Sequence, residues 1–227
     1  LETETLEIPN YSALAAQNQG ALRFNTENTA HYITDYQGVL LDQILDTITE
    51  LDSTSKLQVV QERRLLAEAG HISFAELVPV IEKLTDESSY LVVSGVKAVL
   101  SGLKIFVEEG SESEKAYNDL VIKLSRFNFD RLGFEAKDGE SDEDELVRQI
   151  VIGNLIAAND EKATQEADRI FEAHQNDLEK LPAAIRLHIL INQIKHHESK
   201  ELTDQYLKNY VSTVDGSFKR QLASALA

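Results

Sequence analysis

The sequence has no cysteine, no methionine and no tryptophan, and only 3 prolines and 10 glycines among 227 residues. Without cysteine there is no disulfide framework, no thiolate nucleophile and no thiolate metal ligand. The absence also fits a reducing compartment, and a cytoplasmic location is expected. So little glycine and proline excludes a collagen-like or low-complexity chain. Cations are scarce too: 22 Lys+Arg against 39 Asp+Glu gives a formal net charge of −17. Phosphate backbones and anionic lipid surfaces need clustered Lys and Arg, so neither nucleic acid nor a membrane is an expected partner. Apolar runs such as Leu91–Val93 and Ile150–Ile152 fall far short of the roughly 18–20 residues that span a bilayer. The start, Leu1-Glu2-Thr3-Glu4, is acidic where a secretory signal would be basic. With methionine absent, Leu1 is not a native start, and a fragment of a longer polypeptide is expected.

What is present is enough for a core: 42% of the residues are hydrophobic. Residues 1–36 differ from the rest. Leu6-Glu7-Ile8, Ala21–Phe24 and Tyr32–Thr34 are short and partly alternating or β-branched, punctuated by Asn10, Gly20 and Asn25. This predicts short strands that cannot bury a core alone, the end of a small β-sandwich domain.

From 37 to 227 the pattern is helical. Val39, Leu41, Ile44, Ile48 and Leu51 form a first stripe, and a second helix ends at Gly70. Ser73-Phe74-Ala75-Glu76 reads as a capping box, with Pro79 expected to kink the helix after it. Asp86 is expected to cap a helix running to about Val107, ended by Gly110. Ser111-x-x-Glu114 opens the next helix and Leu132-Gly133 closes it. Ser141 precedes four acids, Asp142 to Glu145, suited to a helix N-terminus. Asn159-Asp160 reads as a tight turn, and Pro182 as a first helical residue. About ten helices with short links predict a mainly α fold, an irregular HEAT-like α-solenoid: a right-handed superhelix of antiparallel helix pairs. The final Leu222–Ala227 stretch has no polar cap, so further helices are expected beyond it.

No residue set assembles a reaction centre by spacing. The histidines are His31, His71, His174, His188, His196 and His197, and no H-E-x-x-H occurs. His196-His197-Glu198 cannot share a zinc ion, because adjacent helical side chains diverge by about 100°. With Lys195, they suit a helix C-terminus. His188 reads as a histidine at the edge of the core. Gly95 and Gly102 fall within one helix, where they would allow close packing, and no phosphate-binding loop or G-x-S-x-G elbow exists. The acidic run Glu140–Glu145 is open to two readings, a cation site or a solvated first turn. Arg63, Arg64, Arg126, Arg131 and Arg148 could bind a peptide carboxylate or form intramolecular ion pairs. No catalytic, metal or cofactor residue is assigned, and substrate-binding residues stay unknown.

Three stretches together resemble the C-terminal region of the zinc aminopeptidase N family. In the first, Leu22-Arg-Phe-Asn25 precedes Ala30-His-Tyr32-Ile-Thr-Asp-Tyr36, where the family often has N…G-Y-Y-R-V-N-Y. Asn25, Tyr32 and Tyr36 match, while Ala30, Ile33 and Asp35 replace the family's Gly, Arg and second Asn. The second is Leu65-Leu-Ala-Glu-Ala-Gly70-His-Ile-Ser73 followed by Leu84-Thr-Asp-Glu87-Ser-Ser-Tyr90. It is similar to L-A-r-a-G-x-l-S and L-x-x-E-x-x-Y, with Leu91-Val92 in place of the usual Pro-Trp. The third runs from Leu132-Gly133-Phe134 to Glu140-Ser141, then Leu146-Val147-Arg148, and resembles L-G-[WF]-x-x-x-x-x-E-S…L-R.

The resemblance implies a parent enzyme that removes N-terminal amino acids from peptides. Its zinc ligands and its G-x-M-E-N segment would lie upstream, and none is present here. This part would then be non-catalytic alone, enclose a peptide chamber and dock on its own catalytic domain. The alternative is a free-standing HEAT-like scaffold that binds a protein partner, and an independent helical enzyme is a third reading.

Overall fold

Six of the α-helices in this chain start at a side-chain cap. In a computed structural model that describes residues 7, 9–13, 22–26 and 28–227, ten α-helices run between Gly38 and Ala225. Asp52, Ser111, Asp160, Ser199 and Asp215 each accept a backbone N–H from the first turn that follows. Ser141 does so within a full capping box, with Asp144 as its reciprocal partner. Each such cap stabilises its helix by about 1 kcal/mol. Gly70 (φ 74°) and Gly133 (φ 58°) turn the chain out of two helices, and Asn159 (φ 58°) makes the tight turn before Asp160.

The chain forms two compact units, Leu1–Leu84 and Thr85–Ala227. In the first, α1 (Gly38–Thr47) runs into a 3₁₀ turn, Ile48–Glu50, and α2 is Ser53–Glu68. A second 3₁₀ turn, Phe74–Leu77, leads into the short α3, Val78–Glu82. Ile44, Ile48, Val59, Val60, Leu77, Val80 and Ile81 are buried. Tyr36 is buried as well, and its hydroxyl accepts the Phe24 N–H at 2.8 Å.

The second unit holds α4 (Tyr90–Lys104), α5 (Glu112–Leu132), α6 (Asp142–Ala157) and α7 (Glu161–His174), then α8 (Arg186–His197), α9 (Lys200–Ser212) and α10 (Gly216–Ala225). Helix α6 is central: α4, α5, α7 and α8 all pack on it. Helix α10 packs on α8 and α9. Ile152, Leu155 and Ile156 of α6 lie in one buried cluster with Ile189 and Leu190 of α8, Tyr206 of α9 and Phe218 of α10. Fully burying one such aliphatic side chain stabilises by about 1.5–3 kcal/mol.

The chain is mainly α, as its periodicity predicts, with several differences in detail. Among the described residues there is no strand: Leu22–Phe24 and Tyr32–Thr34 are irregular. Their polar groups are met by side chains instead of a ladder, through Tyr36 with Phe24 and Asn25 with Ala30. Leu6, Ile8 and Ala21 lie outside the described residues. Ser89, not Asp86, precedes α4, and α4 ends at Lys104, leaving Ile105 and Phe106 exposed. Gly110 therefore turns a loop and does not end a helix. The Ser73 capping box is present but opens a 3₁₀ turn, and Pro79, expected inside a helix, sits in the first turn of α3, where proline is tolerated. Pro182 precedes α8 by four residues, within a turn.

Candidate functional site

The stretch from Gly133 to Arg148 carries the sharpest sequence signal, and its geometry is that of a joint. Gly133 ends α5, and its left-handed φ drops the next residue into the core. Phe134 is buried there, edge-on to Phe129 at 5.9 Å. The loop returns through Glu140, whose carboxylate pairs with the buried Arg148 guanidinium. The hydrogen bond from Arg148 holds the Glu140 carboxyl below its usual range. Asp144 accepts from Arg131 Nη1 at 2.5 Å and from the Ser141 N–H at 3.1 Å, and these bonds lower its pKa in that order. Arg131 Nη2 also donates to Asn128 Oδ1 at 3.0 Å, while Asn128 Nδ2 donates to the Glu87 carbonyl at 2.7 Å. Thus the acidic run splits: Glu140 and Asp144 are engaged, and Asp142, Glu143 and Glu145 are exposed on the first turn.

The other three arginines singled out from the sequence are also in ion pairs. Arg63 is buried, donates to the Tyr36 carbonyl at 3.1 Å and pairs with Asp35 and Glu76. Arg64 pairs with Glu68, and Arg126 with Asp160 and Asp130. Arg186, not singled out from the sequence, spans several elements: it donates to the Glu179 and Leu181 carbonyls and lies 5.0 Å from the Phe218 ring. Nothing in its sequence neighbourhood marks it.

The histidines do not converge. His31 lies in the first unit and His71 follows the end of α2. His174 Nδ1 is 2.8 Å from the Ile170 carbonyl. His197 Nε2 is 3.1 Å from Asp168 Oδ1, which also accepts from Asn192 and Gln193. Lys195 donates to the last carbonyls of α6, Ile156 and Ala157, and burial lowers its pKa. His188 is pushed down to about 4 by burial first and by the Lys97 charge second. Its ring lies over Gly153: a Cβ there would come within 2.6 Å of Cε1. Gly153 thus has a packing role against His188; Gly95 is buried in α4 and Gly102 is half-buried. Among the described residues no three His, Asp or Glu side chains gather as a metal site. No described helix is long and apolar enough to cross a membrane.

One cleft in the first unit is lined by polar groups. It measures about 490 Å³, between residues 28–33 and α2, and Glu62 is among its lining residues. Gln58 Nε2 donates to Glu62 Oε1 at 3.2 Å, while Arg23 Nη2 donates to Gln58 Oε1 at 3.4 Å. Burial pushes the Glu62 carboxyl above its usual range, against the opposing pull of Gln58, Thr34 and the Arg23 charge. Sequence reading passed over Glu62, because a Glu on a helix exposed to water looks identical.

Comparison with known proteins gives this geometry a family. The family described as ERAP1-like C-terminal domain matches residues 22–227, starting inside the stretch read from sequence as the end of a β-sandwich. The chain is 50% identical over 228 aligned residues to an aminopeptidase N of Lactococcus lactis subsp. lactis. It is 37% identical over 226 residues to an aminopeptidase N of Lactobacillus helveticus. All of this chain is covered in both cases, but only 27% of either relative. A rice protein, aminopeptidase M1-D, is 25% identical over 166 residues, covering 71% of this chain and 19% of its own. The chain therefore spans about a quarter of the length of the bacterial relatives it matches and corresponds to their C-terminal domain. A free-standing scaffold, the alternative expectation, finds no support among them.

Proposed function

The chain belongs to the family of ERAP1-like C-terminal domains, and on that premise we propose that it is the helical end of a zinc aminopeptidase that removes N-terminal amino acids from peptides. The observation that carries this is identity of 50% along the whole chain to a protein named for that activity. The chain's part is structural: it walls the peptide chamber and docks on the catalytic domain, which holds the zinc. It is non-catalytic alone. Residues 1–36 are the end of a β-sandwich whose strand partners come from the rest of the parent, and 37–227 stack as an irregular HEAT-like solenoid. The location is cytoplasmic. A strongly acidic wall favours entry of cationic peptides by long-range steering.

The test compares the parent enzyme, the parent lacking these residues, and this chain alone. Lysine p-nitroanilide and a lysine-initiated decapeptide serve as substrates. The reading expects no hydrolysis by the chain alone. It expects a chelator-sensitive parent, and a deletion that hurts the decapeptide more than the anilide. Hydrolysis by the chain alone would overturn it, as would a deletion that leaves decapeptide cleavage intact.

A further inference from the structure

Two Asp-Gly dipeptides occur in the chain, Asp138-Gly139 and Asp215-Gly216, and the fold holds them in opposite ways. Asp138 and Gly139 form the exposed tip of the loop between α5 and α6. The loop is pinned on both sides of that tip. Lys137 Nζ donates to the Arg131 carbonyl at 2.6 Å, and the Glu140 N–H closes a turn onto the Lys137 carbonyl at 3.3 Å. Glu140 itself is paired with the buried Arg148. Between these anchors the Asp138 carboxylate takes no hydrogen bond or ion pair among the described residues. The Gly139 N–H donates to no backbone carbonyl among them. Gly139 has a φ of 86°, and a Cβ built on it meets nothing within 4 Å, so there is free space beside this backbone. Asp215 is bound instead. Its Oδ1 accepts the Ser217 N–H at 2.8 Å as the cap of α10, and its Oδ2 lies 3.8 Å from Arg186 Nη1. Its own N–H donates to Thr213 Oγ1 at 3.0 Å.

We propose that Asp138-Gly139 is a site of spontaneous isoaspartate formation, a backbone modification that the fold permits here and suppresses at Asp215-Gly216. The Gly139 nitrogen attacks the Asp138 Cγ and forms a C–N bond, while the carboxyl hydroxyl leaves with the amide proton as water. A second water then opens the succinimide. Addition at the Asp138 main-chain carbonyl breaks its bond to the Gly139 nitrogen and leaves the chain running through Cγ. Addition at the former side-chain carbonyl restores aspartate. No oxidant, reductant or enzyme takes part. Glycine favours ring closure, because no side chain shields its nitrogen and its backbone is free to adjust. At Asp215 the same attack requires the carboxylate to leave the Ser217 N–H and the Arg186 guanidinium, and so to give up the α10 cap. The product at 138 matters because of where it falls. An isoaspartyl residue inserts one methylene into the main chain between Lys137 and Glu140. That change strains the hydrogen bond closing the turn and draws Glu140 away from Arg148, whose guanidinium is buried and then lacks its partner. Ageing therefore loosens the joint between α5 and α6. This inference does not depend on the parent's activity.

The test ages the folded 227-residue chain for weeks at body temperature and a pH just below neutral. Isoaspartate is then mapped by peptide mass spectrometry, with fragmentation that separates the two isomers. The proposal expects isoaspartate to accumulate at 138 about fivefold or more faster than at 215, the factor that release of an N-cap imposes. In urea, where both dipeptides are unfolded, the two rates should converge. Asp138→Glu keeps the charge but cannot close a succinimide, so position 138 should stay unmodified. The aged chain should show a lowered urea midpoint, and aged Asp138→Glu should keep its own. Equal accumulation at the two sites in the folded chain, none at 138, a rate difference that persists in urea, or the same ageing loss in Asp138→Glu would overturn the proposal.

Discussion

Two sequestered carboxylates sit in the two compact units under opposite conditions. In the second unit Glu140 meets a buried guanidinium, Arg148, and its pKa is lowered. In the first, Glu62 is bonded by the neutral amide of Gln58 and is in no ion pair among the described contacts, and burial raises its pKa. The paired acid closes a loop and belongs to the most recognisable motif in the chain, so a family signature here marks a joint between helices. The unpaired acid belongs to no motif and lines a cleft. Resemblance is carried by what holds the fold.

The largest effect that could break this comparison comes from removing the cation. Arg148→Met leaves Glu140 sequestered without its partner, and a broken buried pair is strongly destabilising. It should give the greatest fall in the urea midpoint of the set, and Glu140→Gln in the same chain should recover part of it. Glu62→Gln, which removes an unpaired charge, should leave the midpoint unchanged or raise it. Equal losses from Arg148→Met and Glu62→Gln would erase the distinction between the two acids.

A second contrast lies within the second unit. Gly153→Ala drives a methyl into the His188 ring and should cost about 1–3 kcal/mol. Gly216→Ala meets nothing closer than Arg220 Nη1 at 4.0 Å and should gain about 0.4–1 kcal/mol by stiffening the unfolded chain. Denaturation curves of the two variants decide this directly.

Proton linkage sharpens the comparison further. His188 falls from 6.5 to about 4, so between those values the folded unit binds fewer protons than the unfolded chain. Its contribution is complete above the unfolded pKa and is lost as pH falls toward the folded one, by about 1–2 kcal/mol between neutrality and mild acid. Glu140 and Asp144, both lowered, lose their contributions as pH falls further, through their folded pKa values. Glu62 works the other way: its raised pKa favours the folded state at low pH and costs stability as pH rises through it. Stability at neutral and mildly acid pH, compared between the chain and His188→Gln, should show a flatter dependence in the variant.

Much of the second unit was legible because its signals are local. Ser141 with Asp144, Gly133 and Asn159-Asp160 each act within a few residues, and each falls where its spacing predicts. The failures are of two kinds. Asp86 and Pro182 carry the right residue types for helix starts, but tertiary packing begins α4 and α8 several residues later. The β-like segments at 22–24 and 32–34 have strand composition without a ladder among the described residues. The cleft was not legible at all. Glu62, Thr34 and Ile33 meet through the folding of an irregular segment onto α2, and no periodicity encodes that meeting. Gly153 and His188 lie 35 residues apart and only the packing of α6 on α8 joins them.

The most direct measurement is a carboxyl-carbon NMR titration of Glu62 and Glu140 in the same sample. The account predicts that Glu62 titrates above the ordinary glutamate range and Glu140 below it. Glu62 titrating at or below Glu140 would contradict the contrast on which the account rests.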